Sequence, residues 1–84
     1  MVRITGVITG PDGQPVEDAA VLFISGPVPL PDIAQLTGPD GRFLLTAPAR
    51  GVYSLQVNAP GHEASTIDFE VADEIEIERD VKLP

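Results

Sequence analysis

The tetrapeptide Gly-Pro-Asp-Gly occurs twice, at residues 10–13 and 38–41, and it restricts the fold more than any other feature of this 84-residue chain. Pro11 and Pro39 preset φ at the second position of a turn, and Gly13 and Gly41 supply the positive φ needed to leave it. Four matching residues do not establish a duplication, because the same turn physics selects the same residues. Glycine and proline fill 17 of the 84 positions and recur every few residues, which argues against a long helical bundle. Between these breaks the apolar residues alternate with polar ones, as in short strands packed on one face.

The alternation predicts the strands one by one. Val2, Ile4, Gly6 and Ile8 share one face of the first, with Val7 breaking its polar side. A glycine inside a strand allows close approach of another backbone, or a bulge. The second strand, 19–25, is apolar on both faces: Ala19, Val21 and Phe23 on one, Ala20, Leu22 and Ile24 on the other. Such a run suits a central strand covered on both sides. Three alternating prolines in 26–36 favour an extended, irregular path, with Asp32 able to cap one short turn. Phe43 and Leu45 then face inward, followed by Tyr53, Leu55 and Val57, and by Ile67, Phe69 and Val71. The last segment, 74–83, places Ile75, Ile77, Val81 and Leu83 inward, with Arg79 among them as the mark of a bulge or a rim position. About seven short strands at this spacing predict a single all-β domain over 1–84, an antiparallel Greek-key β-sandwich.

Composition removes several functions. Cysteine is absent, so there is no disulfide framework and no thiolate metal site. Thirteen acids against five bases give a net charge of −8. Five dispersed cations neutralise few phosphates, which argues against nucleic acid. Hydrophobic residues make up 43% of the chain, too many for a disordered one. No apolar run approaches the roughly 18 residues that cross a membrane, and the N-terminus lacks the apolar core of a signal peptide. If Met1 is the native start, the expected compartment is the cytoplasm.

The run Gly6-Val7-Ile8-Thr9-Gly10-Pro11-Asp12-Gly13-Gln14-Pro15-Val16-Glu17-Asp18-Ala19-Ala20-Val21 resembles the opening of carboxypeptidase regulatory-like domains. Thr37, Asp40-Gly41-Arg42-Phe43 and Leu45 are similar to that family's Thr…Asp-Gly-x-Phe-x-Leu strand. Gly51, Tyr53, Leu55, Val57 and Ala59-Pro60-Gly61-His62 are similar to its Gly-x-Tyr-x-Leu-x-Val strand and following Pro-Gly-aromatic turn, with His62 where Tyr or Phe is usual. The resemblance implies a transthyretin-like (prealbumin-like) sandwich that is generally non-catalytic, needs no cofactor and sits beside a catalytic, receptor or adhesive domain. Such modules are often secreted or periplasmic. Related enzymes of the fold, which hydrolyse a purine-breakdown intermediate, end in Tyr-Arg-Gly-Ser, whereas this chain ends Asp80-Val81-Lys82-Leu83-Pro84.

The residues support little chemistry of their own. His62 is the one histidine, no Gly-x-Ser-x-Gly elbow is present, and Ser65 lies only three positions away. A self-made isopeptide bond needs an early lysine and a late asparagine, but the single Lys82 is late and the single Asn is Asn58. The aromatic residues fall at inward positions and leave no platform for a sugar.

Two surfaces remain. Residues 60–84 hold eight acids and two bases, so −6 of the −8 lies there. Asp68, Glu70, Glu74, Glu76 and Glu78 form one candidate face for a basic partner if the last two strands pair as a hairpin through Asp73. Like charges opposed in a sheet are also a way to block edge-to-edge aggregation. The second surface is apolar: Val28, Leu30, Ile33 and Leu36 of the Pro-rich loop with Leu22 and Ile24 beside them. Either the loop closes over this patch as a lid, or a partner protein or second copy covers it. The expected role is a structural or protein-binding module. The alternative is a carbohydrate- or calcium-binding module of a larger secreted or cell-surface assembly.

Overall fold

A computed structural model of the chain describes residues 2–30, 34–73 and 75–84. The expected cap at Asp32 and the candidate surface residues Ile33 and Glu74 lie outside them. Eight strand segments appear in order: β1 (Val2–Thr9), β2 (Ala20–Ser25), β3 (Gln35–Leu36), β4 (Arg42–Ala47), β5 (Gly51–Asn58), β6 (Ser65–Val71), β7 (Glu76–Glu78) and β8 (Val81–Lys82). They form two sheets. One runs β4-β1-β7, with β8 also on β1, and the other runs β3-β2-β5-β6. The described residues contain no helix.

The twin turns behave alike because their sequences are alike. Gly13 N–H donates to the Gly10 carbonyl and Gly41 N–H to the Gly38 carbonyl, both at 2.9 Å. The Asp12 carboxylate accepts from Gln14 N–H at 3.0 Å, and the Asp40 carboxylate accepts from Arg42 N–H at 3.1 Å. Gly13 and Gly41 leave at φ of 84° and 76°, the left-handed region that a Cβ disfavours.

The core is the meeting of the two inner faces. Val2, Ile4 and Ile8 of β1 and Phe43 of β4 pack with Val21 of β2, Tyr53, Leu55 and Val57 of β5, and Phe69 and Val71 of β6. Tyr53 is fully buried and is the largest such side chain. Its ring lies 5.2 Å from Phe23 and 5.9 Å from Phe69, centroid to centroid. Its hydroxyl donates to the Ala49 carbonyl at 2.6 Å and accepts from Ala49 N–H at 3.1 Å, which satisfies the phenol inside an apolar core. Thr37 is buried too. Its hydroxyl accepts from Ala19 N–H at 2.9 Å and donates to the Val16 carbonyl at 2.6 Å, tying the start of β2 to the end of the Pro-rich loop.

Three expectations are corrected. First, the last segment is two strands rather than one, and both run parallel to β1. The chain crosses from one sheet to the other between β6 and β7, so these strands form no hairpin through Asp73. Second, Ile75 is not inward: it precedes β7 in the crossing and is 82% exposed. Third, β2 lies between β3 and β5, but no described element packs over its outer face, where Ala20 and Leu22 are half-buried and Ile24 is 48% exposed.

The break between β7 and β8 is built from two sequence oddities. Arg79 N–H donates to the Thr5 carbonyl at 2.8 Å, and Val7 N–H is met by the Asp80 carboxylate at 3.0 Å instead of by a backbone carbonyl. The Arg79 side chain turns outward and donates to the Glu78 carbonyl. Gly6 lies directly beneath: a Cβ there would stand 1.9 Å from the Arg79 carbonyl oxygen. Glycine is therefore required at residue 6 for space, whereas Gly13 has open space and only its φ to protect.

These differences set two expectations for urea denaturation. Gly6→Ala should destabilise by about 3 kcal/mol or more, because backbone must move, while Gly13→Ala should cost about 1 kcal/mol from strain alone. Equal costs would contradict the close approach. Thr37→Val should cost about 2 kcal/mol by leaving a buried N–H and C=O unmet, and Thr37→Ser should recover most of it.

Candidate functional site

The residues able to do chemistry are not assembled. His62 sits in the turn after β5, its backbone N–H on the Ala59 carbonyl at 3.1 Å, and it borders a depression lined by Gly10, Pro11, Asp12, Gln14 and Pro15. Among the described residues its imidazole makes no hydrogen bond. The Ser54 hydroxyl donates to Asp68 at 2.6 Å and is directed away from any histidine. At the far end of the sandwich a cavity of about 300 Å³ is lined by Val2, Ala47, Pro48, Arg50, Asp73 and Ile75. Arg50 and Asp73 pair there at 2.6 Å, with both side chains largely exposed, so the pair holds little free energy. Among the described residues no three His, Asp or Glu side chains converge as metal ligands. Phe43, Tyr53 and Phe69 are buried and Phe23 is partly buried, so the rings are spent on the core.

The acidic residues divide between the sheets. Glu76 and Glu78 lie on β7, opposite Arg3 and Thr5 of β1. Arg3 pairs with Glu76 at 2.9 Å. Asp68 and Glu70 lie on β6, on the other sheet, opposite Ser54 and Val52 of β5. The acids of the two segments are thus not opposed, and they do not make one face, because the crossing after β6 puts a sandwich between them. No cation pairs with Asp68 or Glu70 among the described residues.

The Pro-rich loop divides as well. Leu30 turns inward and packs on the core, and a Cβ at Gly26 would stand 2.7 Å from its Cδ1 and 3.1 Å from the Tyr53 ring. Pro27 lies over Gly51 at the start of β5. Val28 faces out and is 38% exposed. The described part of the loop, 26–30, therefore packs over the Tyr53 end of the core. The chain returns as β3, whose Leu36 stands opposite Ala20 and is 57% exposed.

The outer face of the β3-β2-β5-β6 sheet brings the two halves together. On β2 and β3 it carries Ala20, Leu22, Ile24 and Leu36. On β5 and β6 it carries Asn58, Gln56, Ser54, Thr66, Asp68 and Glu70, and also Val52, which is 61% exposed opposite Glu70. A bulge between Phe23 and Ser25 leaves both Ile24 and Ser25 exposed. The result is an apolar stripe along one edge of a sheet whose other edge is acidic. Sequence alternation finds the outward positions, but it cannot find that Asp68 and Leu36 share a face, since β2 and β5 lie between their strands.

The comparisons with known proteins bear on the fold and the family. A family model described as the carboxypeptidase regulatory-like domain matches residues 3–84. No curated protein sequence matches the chain. Among solved structures, the chain is similar to one chain of a C-terminal interface mutant of a type II cohesin–X-dockerin complex from Acetivibrio cellulolyticus. The TM-score is 0.71 and the identity 13%, over 99% of this chain and 57% of that one, so the present sequence spans just over half of that chain. It is also similar to 5-hydroxyisourate hydrolase from Klebsiella pneumoniae, with TM-score 0.66 and 18% identity over 98% of this chain and 89% of that one. At these identities the likeness is one of fold, the transthyretin-like sandwich that the residues suggested. The motif resemblance and the match over nearly the whole length agree: this chain belongs to the carboxypeptidase regulatory-like domain family.

Proposed function

We propose that the chain is a non-catalytic protein-binding module whose partner protein covers the apolar stripe of Leu22, Ile24 and Leu36. The observation that carries this reading is the exposure of Ile24 at 48% and Leu36 at 57% on one sheet face, at the two ends of a stripe that runs through Ala20 and the half-buried Leu22. Apolar side chains gathered on one face mark an interface more often than isolated ones do. Family membership supports a non-catalytic role, as does a His62 imidazole that makes no hydrogen bond among the described residues to the Asp12 and Gln14 side chains lining the same depression. The similarity to a chain of a cohesin–X-dockerin complex supports a setting among protein partners. A different protein fits better than a second copy, because each copy carries a charge of −8 and the acids Asp68 and Glu70 lie on the same face. The rim that meets those acids is then basic.

Stability and binding should separate along the loop. Leu30→Ala should destabilise by about 1–2 kcal/mol in urea melts, because it removes a side chain packed on the core. Leu36→Asp should leave stability within about 0.5 kcal/mol. Photocrosslinking residues placed at positions 24 and 36, in cells that make the protein, should trap one distinct protein that position 5 on the other sheet does not trap. Crosslinks only to a second copy, or none above the position 5 control, would refute the reading.

A further inference from the structure

The opposite edge of the same sheet has a property that the stripe does not share. β6 pairs with β5 along seven residues, Ser65 to Val71, with no break in register. No strand lies on its other side among the described residues, so alternate residues turn their N–H and C=O groups out to solvent. The other edges are each shortened or obstructed. β3 is two residues long. The β7–β8 edge is interrupted at Arg79 and Asp80. β4 lies against β3 and is bounded by the Pro39 turn and by Pro48. β6 has no proline and no bulge, and the edge-blunting device it does carry is the outward charge of Asp68 and Glu70, which turns away acidic strands but not basic ones.

Its side chains also describe what would pair with it. Asp68 and Glu70 project to the outer face with no cation beside them, so a strand placed alongside would gain cross-strand pairs by carrying Lys or Arg there. Ile67 points to the inner face but is only partly buried, so apolar residues on the alternate positions of that strand would complete the core at this edge. We propose that the free edge of β6 takes up an extended segment of another protein, alternately basic and apolar, as an added strand. A second copy of β6 is the wrong occupant, because pairing two β6 edges sets Asp68 and Glu70 of one copy against the same acids of the other. Main-chain hydrogen bonds supply the affinity in this mode of recognition, and the alternating side chains supply the choice of partner.

The test uses the 84-residue chain and a capped synthetic heptapeptide alternating Lys and Val, followed by NMR titration and amide hydrogen exchange. The peptide should shift and protect amides within 65–71. The same peptide with every amide N-methylated keeps its charge but cannot form a ladder, and should bind at least about tenfold more weakly. The double variant Asp68→Lys/Glu70→Lys should lose the Lys-Val peptide and gain a Glu-Val one by a similar factor. Equal binding of the methylated peptide would mean charge attraction alone and would overturn the proposal, as would no binding. Shifts confined to Ile24 and Leu36 would also overturn it, while leaving the stripe as the binding surface. If the β6 shifts appear and the stripe traps no protein in cells, the reverse holds.

Discussion

The approach of the Arg79 carbonyl to Gly6 is the contact on which one whole sheet depends. β1 is the central strand of that sheet, with β4 on one side and both pieces of the last segment on the other. Only a residue without a side chain lets the Arg79 carbonyl come this close to β1, and the Asp80 carboxylate then satisfies the Val7 N–H that the break between β7 and β8 leaves unpaired. Beyond the break, Val81 and Leu83 are buried in the core, and Leu83 N–H donates to the Thr9 carbonyl at 2.7 Å. In a small domain, whose stability is a narrow difference between large terms, losing the strands that close one side of the core would be costly.

The interior is fully committed to holding the sandwich together. Tyr53 satisfies its hydroxyl on Ala49, Thr37 satisfies two backbone groups, and among the described residues no buried side-chain polar atom lacks a partner. What the fold leaves uncommitted is on its outside: the apolar stripe of β2 and β3 and the unpaired edge of β6. They flank the same sheet, two strands apart. A partner large enough to span that sheet could meet both.

The strands were legible where one face is buried and the other wet. β1, β4, β5 and β6 follow their alternation closely, and their turns follow from Gly and Pro. β2 misleads because an apolar outer face reads the same whether another element covers it or solvent does. Its exposure is a fact about long-range packing. The last segment misleads for a related reason. Gly6 inside a strand and Arg79 at an inward position are both visible as irregularities, yet nothing local says that they are two sides of one contact. That pairing joins residues at opposite ends of the chain. The same limit applies to the candidate surfaces. The outward positions of Asp68, Glu70, Leu22 and Leu36 were readable, but the sheet that unites them was not, and neither was the crossing that separates them from Glu76 and Glu78. Thr37 appeared only as part of a family motif, and its buried hydroxyl is explained by the Val16 carbonyl and Ala19 N–H that it joins across 16–19.

The proposed binding lies on the β3-β2-β5-β6 side of the sandwich. Hydrogen exchange measured on the chain alone and on the chain bound to its cellular partner tests it most directly. The account expects added protection in 20–25, 35–36 and 65–71, with β1 and β4 unchanged. Protection concentrated instead on β1, β4 and β7, or around His62, would contradict it.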